Sequence, residues 1–149
     1  MKPETMETLA EHVADSLWLS AFADAVQRAH DDGHDVRDIR PGAGGDWADC
    51  PYRPVPAAVQ KQAADALARI PADILQAGAA AWLEASGRDE ERLGHCLALR
   101  MLGHGVGLFD DVRPDDAPKG GAVDRLSKAV PYLECCAWWN PETGKVEES

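Results

Sequence analysis

The side chains best suited to chemistry lie within residues 93–111. Cys96, Arg100 and His104 follow one another at four-residue steps, which places them on one side of a helix if that helix continues to His104. Glycines at positions 103, 105 and 107 allow a tight turn whose backbone amides face a ligand. A general base at His104, oriented by Asp110 or its neighbouring carboxylate, would suit such a site. One hypothesis is therefore a small enzyme or ligand-binding domain that uses Arg100, His104 and Asp110.

The same segment also supports a structural interpretation. Residues 93–102 are apolar on nearly every side of a helix, which predicts a helix buried all round. A buried guanidinium at Arg100 requires an acidic partner, and Asp110 and Asp111 are the nearest candidates along the chain. In this interpretation the ion pair holds the glycine-rich loop against the helix. Cys96 is the nearest nucleophile, and we expect it to be too buried for a low pKa.

Metal-binding patterns are weak. Residues 30–35 hold two histidines and three aspartates, which fits either a zinc or manganese site or a solvated helix end, where the helix dipole favours histidine. A zinc site could also be assembled across the chain, although no recognised spacing supports it, from His95, His104, Cys96, Cys135 and Cys136. We expect no metal and no cofactor, and we expect the four cysteines to be reduced.

Residues 40–54 form a predicted loop, with three glycines, three prolines and no periodicity. Gly42-Ala43-Gly44-Gly45 is only weakly similar to a phosphate-binding loop, because no clear strand precedes it and no Lys-Ser/Thr pair is present. Trp47 in this loop either pins it to the body of the protein or forms an exposed contact anchor.

The elements that must position these residues are mostly helices. Apolar periodicity, prolines at helix starts and glycines at helix ends predict helices over 5–30, 56–70, 72–85, 89–102 and 122–130. The alanine-rich helix over 72–85 allows close approach of its neighbours, and Trp18 is expected in the core. Strands are predicted over 132–139 and 145–147, with a third over 105–109 because two strands alone are marginal. The prediction is one domain over 1–149, of class α+β and mainly α, with four to five helices around one core and a small C-terminal antiparallel sheet.

The charge balance narrows the range of partners. The chain has 26 acidic and 15 basic residues, a net charge of -11. This argues against direct binding to nucleic acid and permits a partner with a basic surface. The contact surfaces would be the acidic segments 31–38 and 110–116, and we select Asp111, Asp115, Asp116 and Trp47 as binding residues. No long apolar run or basic leader is present, so we expect no membrane partner and a cytoplasmic location.

The glycine and histidine pattern also resembles a known family. Gly94-His95, Arg100, Gly103-His104-Gly105-Val106-Gly107 and Asp110 occur in the order found in small phage-encoded proteins without an assigned activity. Asp124-Arg125-Leu126 and the closing Gly144-Lys145 are similar too. The chain departs from that pattern at Cys96 and Leu102, where the family has Asp and Asn. The resemblance implies a viral accessory protein, located in the host cytoplasm, and nothing about its chemistry.

Together these observations favour a small acidic accessory protein that acts by protein–protein interaction. Its partner would be a host protein with a basic surface, for instance a nucleic-acid-handling defence complex that it inhibits. The alternatives are the enzyme or ligand-binding domain described above and a structural or oligomer-forming domain.

Overall fold

A computed structural model gives the fold and describes residues 3–104 and 107–149. These residues form five α-helices and a two-stranded antiparallel sheet, in the order α1 (Pro3–Asp31), α2 (Ala57–Ala68), α3 (Ala72–Ser86), α4 (Glu90–Met101), α5 (Ala122–Ala129), β1 (Ala137–Asn140) and β2 (Lys145–Glu148). The predicted α+β class, mainly helical with a small C-terminal sheet, is confirmed. No helix in this part of the chain is long and apolar enough to cross a membrane.

Helix α1 is the central element, and α2, α4 and β1 all pack against it. Its buried side carries large apolar residues such as Leu17 and Val26, separated by alanines that let the neighbouring elements approach. Trp18, predicted in the core, is 3% exposed. Its Nε1 donates to the carbonyl of Tyr52 at 2.6 Å. The indole therefore ties the loop over 40–54 to the core.

Two helical glycines allow close helix packing. A Cβ on Gly94 would lie 2.5 Å from the Cβ of His12, and a Cβ on Gly78 would lie 2.4 Å from that of Leu126. Helix α4 therefore approaches α1, and α5 approaches α3, more closely than any larger side chain permits. The predicted close approach along α3 is confirmed.

Strand β1 is shorter than predicted, because residues 132–136 are extended without entering the sheet. The Leu133 N–H donates to the carbonyl of Met101 at 2.7 Å, and the Gln62 amide donates to the carbonyl of Glu134 at 2.8 Å. This backbone satisfies the open C-terminal end of α4 and a polar side chain of α2. Residues 132–136, predicted as part of a strand, therefore belong to the connection between α5 and β1.

The expected third strand is wrong in its described part, since Gly107–Phe109 form a 3-10 helix. The carbonyl of Leu108 accepts a hydrogen bond from Nε1 of the fully buried Trp82 at 2.8 Å. That carbonyl is therefore engaged by a side chain of α3. The first two residues of the expected strand, Gly105 and Val106, lie outside the described residues.

Candidate functional site

The structure does not bring Arg100, His104 and Asp110 together as one site. Arg100 is exposed, and its Nε donates to the backbone carbonyl of Ser127 at 3.0 Å. The expectation of a buried Arg100 paired with an aspartate is therefore wrong. Arg100 lies on the side of α4 that neighbouring elements leave open to solvent. Because water can solvate its guanidinium there, the residue requires no acidic partner.

His104 lies beyond the end of α4. The helix ends at Met101, Gly103 adopts a left-handed φ of 73°, and the His104 N–H donates to the carbonyl of Leu99 at 2.8 Å. The alignment of Cys96, Arg100 and His104 at helical steps therefore does not reach His104. Its side chain is exposed, as is that of Asp110. Part of the expected loop of ligand-facing amides, at positions 105 and 106, lies outside the described residues.

Asp111 holds the segment after α4 in place. Its Oδ2 is 2.6 Å from Nε of Arg92, its Oδ1 is 3.9 Å from Nη2 of Arg88, and its side chain is 10% exposed. The hydrogen bond from Arg92 holds the pKa of Asp111 below its usual range. An ion pair therefore does hold this segment against α4, but its cation is Arg92 and not the predicted Arg100.

Cys96 is unsuited to nucleophilic chemistry. It is fully buried, and its Sγ donates to Oδ2 of Asp111 at 3.7 Å. Burial raises the pKa of the Cys96 thiol to about 11. Because the thiolate is the reactive form, this side chain is inert at neutral pH and acts as a packing residue.

The anchored segment continues into an exposed acidic loop, residues 110–116. The side chains of Asp110, Asp115 and Asp116 are exposed and form no ion pair with any described residue. The structure thus separates the four aspartates of this segment into one internal anchor, Asp111, and three free charges. Trp47 lies elsewhere, partly buried against the core, as expected for a residue that pins its loop.

Sequence analysis missed a polar cleft of about 480 Å³ between α1 and α4. Asp15 lies at its centre and accepts hydrogen bonds from Oη of Tyr52 at 2.8 Å and from Nε of Arg53 at 2.9 Å. Burial opposes ionisation of Asp15, but the hydrogen bonds from Arg53 and Tyr52 prevail and lower its pKa. Burial and the Asp15 carboxylate raise the pKa of Tyr52 to about 12.

The same cleft places Nδ1 of His95 3.3 Å from Oγ of Ser16. Burial, assisted by Arg92, lowers the pKa of His95 and keeps its imidazole neutral at pH 7. A hydroxyl beside a neutral imidazole is part of a nucleophile–base arrangement, but such an arrangement also needs a group that orients the base. Among the described residues, no hydrogen bond joins His95 to a carboxylate: Asp15 is engaged by Tyr52 and Arg53, and Asp111, whose charge acts on His95, is engaged by Arg92.

A sequence signal for this cleft did exist. His12, Asp15, Ser16 and Leu19 recur at steps of one, three and four residues along one side of α1, where they all line the cleft. Polar residues at this spacing indicate a solvent-facing side of the helix, but α1 carries other charged residues too, so the signal is weak. The facing residues on α4, Arg92 and His95, could be assigned to the cleft only from the tertiary structure.

Neither of the two weak metal-binding patterns receives support from the described part of the chain. Across residues 3–104 and 107–149, no group of three or more His, Cys, Asp or Glu side chains is arranged to hold a metal ion. The four cysteines are free thiols. Comparisons with protein-family models, curated proteins and solved structures found no significant match to this chain.

Proposed function

We propose that this chain acts by binding the basic surface of a partner protein, as a phage-type accessory protein. The partner we favour is a nucleic-acid-handling complex of the host cell, whose phosphate-binding surface the acidic chain would occupy. The observation that carries the proposal is the acidic loop at 110–116, with three exposed and unpaired aspartates on a firmly anchored base.

The anchoring of this loop supports a role in binding. Leu108 is fully buried, and Asp111 is held by Arg92, so the backbone on the N-terminal side of the loop is fixed before any partner arrives. A preformed loop loses less conformational entropy on binding than a mobile one. The net charge of -11 adds long-range attraction toward a basic surface and accelerates association.

The second acidic segment, 31–38, also carries exposed aspartates without an ion pair among the described residues, Asp32 and Asp38. Its ion pair, Asp35 with Arg37, is local and does not tie it to another element as Asp111 ties 110–116 to α4. Asp35 is neutralised there by a two-point hydrogen bond from Arg37, at 3.0 and 2.9 Å, and Asp31 accepts from Gln27 at 3.0 Å. We therefore assign the main contact to Asp110, Asp115 and Asp116, and assign Asp111 and Trp47 to support of the surface.

Affinity capture from a bacterial lysate at stepped salt concentrations tests this proposal. The test variant reverses the three free charges, as D110K/D115K/D116K. The control reverses three exposed acidic residues elsewhere and changes the net charge equally, as E7K/E84K/E142K. We expect wild type and control to retain the same basic protein at low salt, and we expect the loop variant to lose it.

Retention of the same proteins by both variants, or of none by wild type, would overturn the proposal. Competition with double-stranded DNA or RNA then tests the nature of the partner surface. Displacement of the captured protein is expected if that surface normally holds nucleic acid. Capture that nucleic acid leaves unchanged would exclude the phosphate-binding surface.

The alternative of an enzyme based on Arg100, His104 and Asp110 has no favouring observation. All three side chains are exposed; Arg100 donates to a backbone carbonyl, and His104 and Asp110 have no side-chain partner among the described residues. A His104→Ala variant is expected to fold normally and to keep its partner.

A further inference from the structure

A second concave region, which we name the His34 cleft, lies where α1 ends. It comprises a polar hollow of about 500 Å³ and an aromatic hollow of about 220 Å³, and His34 lines both. The polar hollow is bordered by Arg40 and the glycine-rich loop, and the aromatic hollow by Trp138 and Trp139 of β1. The His34 side chain therefore lies between a cationic surface and an aromatic one.

Arg40 gives the polar hollow a cation that no carboxylate neutralises. Its Nη1 lies 3.2 Å from Nε2 of His30, and its Nη2 donates to Oε1 of Gln27 at 3.3 Å. No ion pair joins Arg40 to any carboxylate of the described residues. The acid in this hollow, Asp35, is already satisfied by Arg37. Contacts to Gln27 and His30 thus hold the guanidinium in position without a carboxylate of the described residues.

The loop next to Arg40 brings backbone close to this hollow. The Gly45 N–H donates to the carbonyl of Gly42 at 2.8 Å, and a Cβ on Gly45 would lie 3.0 Å from that carbonyl oxygen. The turn is therefore tight, and a larger residue at position 45 would have to displace its neighbours slightly. A Lys-Ser/Thr pair is lacking in this loop, and the cation beside it is Arg40.

The aromatic hollow is built on β1, which Arg28 fixes to α1 by a hydrogen bond from Nη2 to the carbonyl of Ala137 at 3.1 Å. The rings of His34 and Trp139 are 4.6 Å apart with an interplanar angle of 45°. Trp138 is 45% exposed, which leaves ring surface free for contact. Nε1 of Trp139 is shielded from solvent and has no hydrogen-bond partner among the described residues, so a residue that lines the cleft carries an unused donor.

We propose that the His34 cleft binds a small phosphorylated aromatic ligand, of the nucleotide class. The phosphate would lie against Arg40, whose planar guanidinium donates two parallel hydrogen bonds to phosphate oxygens. The ring would lie against Trp138, because stacking on an aromatic side chain is favourable for every base.

The α1–α4 cleft is less suited to such a ligand. Its arginines are already paired, Arg53 with Asp15 at 2.9 Å and Arg92 with Asp111 at 2.6 Å. Asp89 and Glu91 also line it, so it carries more carboxylates than the His34 cleft, which is lined by Asp32 and the paired Asp35. An anion would have to displace carboxylates there, whereas the guanidinium of Arg40 is available in the His34 cleft.

Calorimetric titration of the full chain with ADP, inorganic phosphate and adenosine tests the proposal. Saturable binding of ADP by wild type is expected. Arg40→Gln should weaken ADP and phosphate binding by about tenfold or more, and Arg40→Lys, which keeps the charge and loses the planar fork, by less. Trp138→Ala should weaken ADP and adenosine but leave phosphate unchanged. Arg113→Gln, at an exposed arginine outside the cleft, is the matched control and should bind as wild type does.

Several results would overturn it. These are the absence of saturable ADP binding at millimolar concentration, equal losses in Arg40→Gln and Arg113→Gln, or an ADP affinity that Trp138→Ala leaves unchanged. Circular dichroism and the melting temperature of each variant separate a lost ligand contact from lost folding. The site does not share residues with the acidic loop, so each proposal can fail without the other.

Discussion

Helices α1 and α4 end in the same way and lead to different surroundings. In each, a glycine with positive φ, Gly33 at 89° and Gly103 at 73°, is followed by a histidine. In each, that histidine's N–H donates to the carbonyl five positions earlier, at 3.0 Å for His34 and 2.8 Å for His104. The two ends share the Schellman geometry. Both histidines are exposed. The ring of His34 packs against Trp139 beside two hollows, whereas His104 precedes a segment whose Leu108 enters the core.

The comparison shows that local geometry at a Gly-His pair does not determine its use. After α4, the chain returns along its own helix, so that Leu108 enters the core and Asp111 reaches Arg92. After α1, the chain also turns back along its own helix: Val36 is buried, and Arg40 contacts Gln27 and His30. The difference is that β1, from the far end of the sequence, packs beside this returning chain and hollows remain between them.

The largest effect on stability is expected in the segment after α4, residues 107–111. Leu108→Ala should lower the free energy of unfolding by about 2–5 kcal/mol, because a fully buried leucine leaves a cavity. The matched variant after α1, Val36→Ala, removes fewer buried atoms and should cost less, about 1–3 kcal/mol. Urea denaturation of both variants measures the difference. An equal or greater loss for Val36→Ala would contradict the assignment of the α4 segment as the more firmly packed one.

The anchor at Asp111 provides the next test. Asp111→Asn should cost about 1–3 kcal/mol at neutral pH, because it removes the charge that Arg92 pairs with. The folded-state pKa of Asp111 is lowered, so its contribution is present above the ordinary carboxyl pKa and is lost as the pH falls through the folded value. The difference in unfolding free energy between wild type and variant should therefore be smaller at about pH 3 than at about pH 7. Asp115→Asn, an exposed control, should change stability by less than about 0.5 kcal/mol. A gap that persists undiminished in acid would argue against the ion pair.

The two helix-capping glycines allow a direct comparison. Gly33→Ala should cost about 1–2 kcal/mol, since only the left-handed backbone opposes the methyl group and no atom lies within 4 Å of it. Gly103→Ala should cost somewhat more, because its Cβ would also lie 3.1 Å from Cε2 of Tyr132. Melting temperatures of both variants provide the check, and a smaller effect at Gly103 would be the unexpected result.

The smallest effects are expected at the histidines themselves. His34→Ala removes the ring contact with Trp139 and should cost about 0.5–1.5 kcal/mol. His104→Ala alters an exposed side chain and should remain within about 0.5 kcal/mol of wild type. Chemical denaturation of the pair measures both. A larger loss of unfolding free energy for His104→Ala than for His34→Ala would contradict the conclusion that only His34 makes a stabilising side-chain contact.

Sequence reasoning located the helices well, because their signals are local. The periodicity over 5–30 and 89–102 corresponds to α1 and α4 within a few residues, and the prolines and glycines mark most boundaries. The strand over 132–139 was predicted too long, since its early residues satisfy the end of α4 instead of β2. The sequence pattern could not show that the end of α4 competes with β2 for the hydrogen bonds of these residues.

The candidate site was predicted less well, for a related reason. Arg100 was expected to be buried because its helix is apolar, yet burial depends on which sides neighbouring elements cover. The ion pair was predicted for Arg100 with Asp110 or Asp111; Asp111 does form an ion pair, but with Arg92. The His95–Ser16 pair and the contact of His34 with Trp139 join residues separated by 79 positions in one case and by more in the other.

By itself, the sequence of this protein determined the helical class, the acidic surface and the two Gly-His helix ends. These properties follow from interactions within a few residues and from net charge. Only the tertiary structure decided which aspartate is an anchor, which arginine keeps its charge free, and which helix end borders a hollow. Those outcomes depend on how elements distant in sequence pack together. The packing determines whether a neighbouring element covers a polar side chain and whether an opposite charge comes within reach of it.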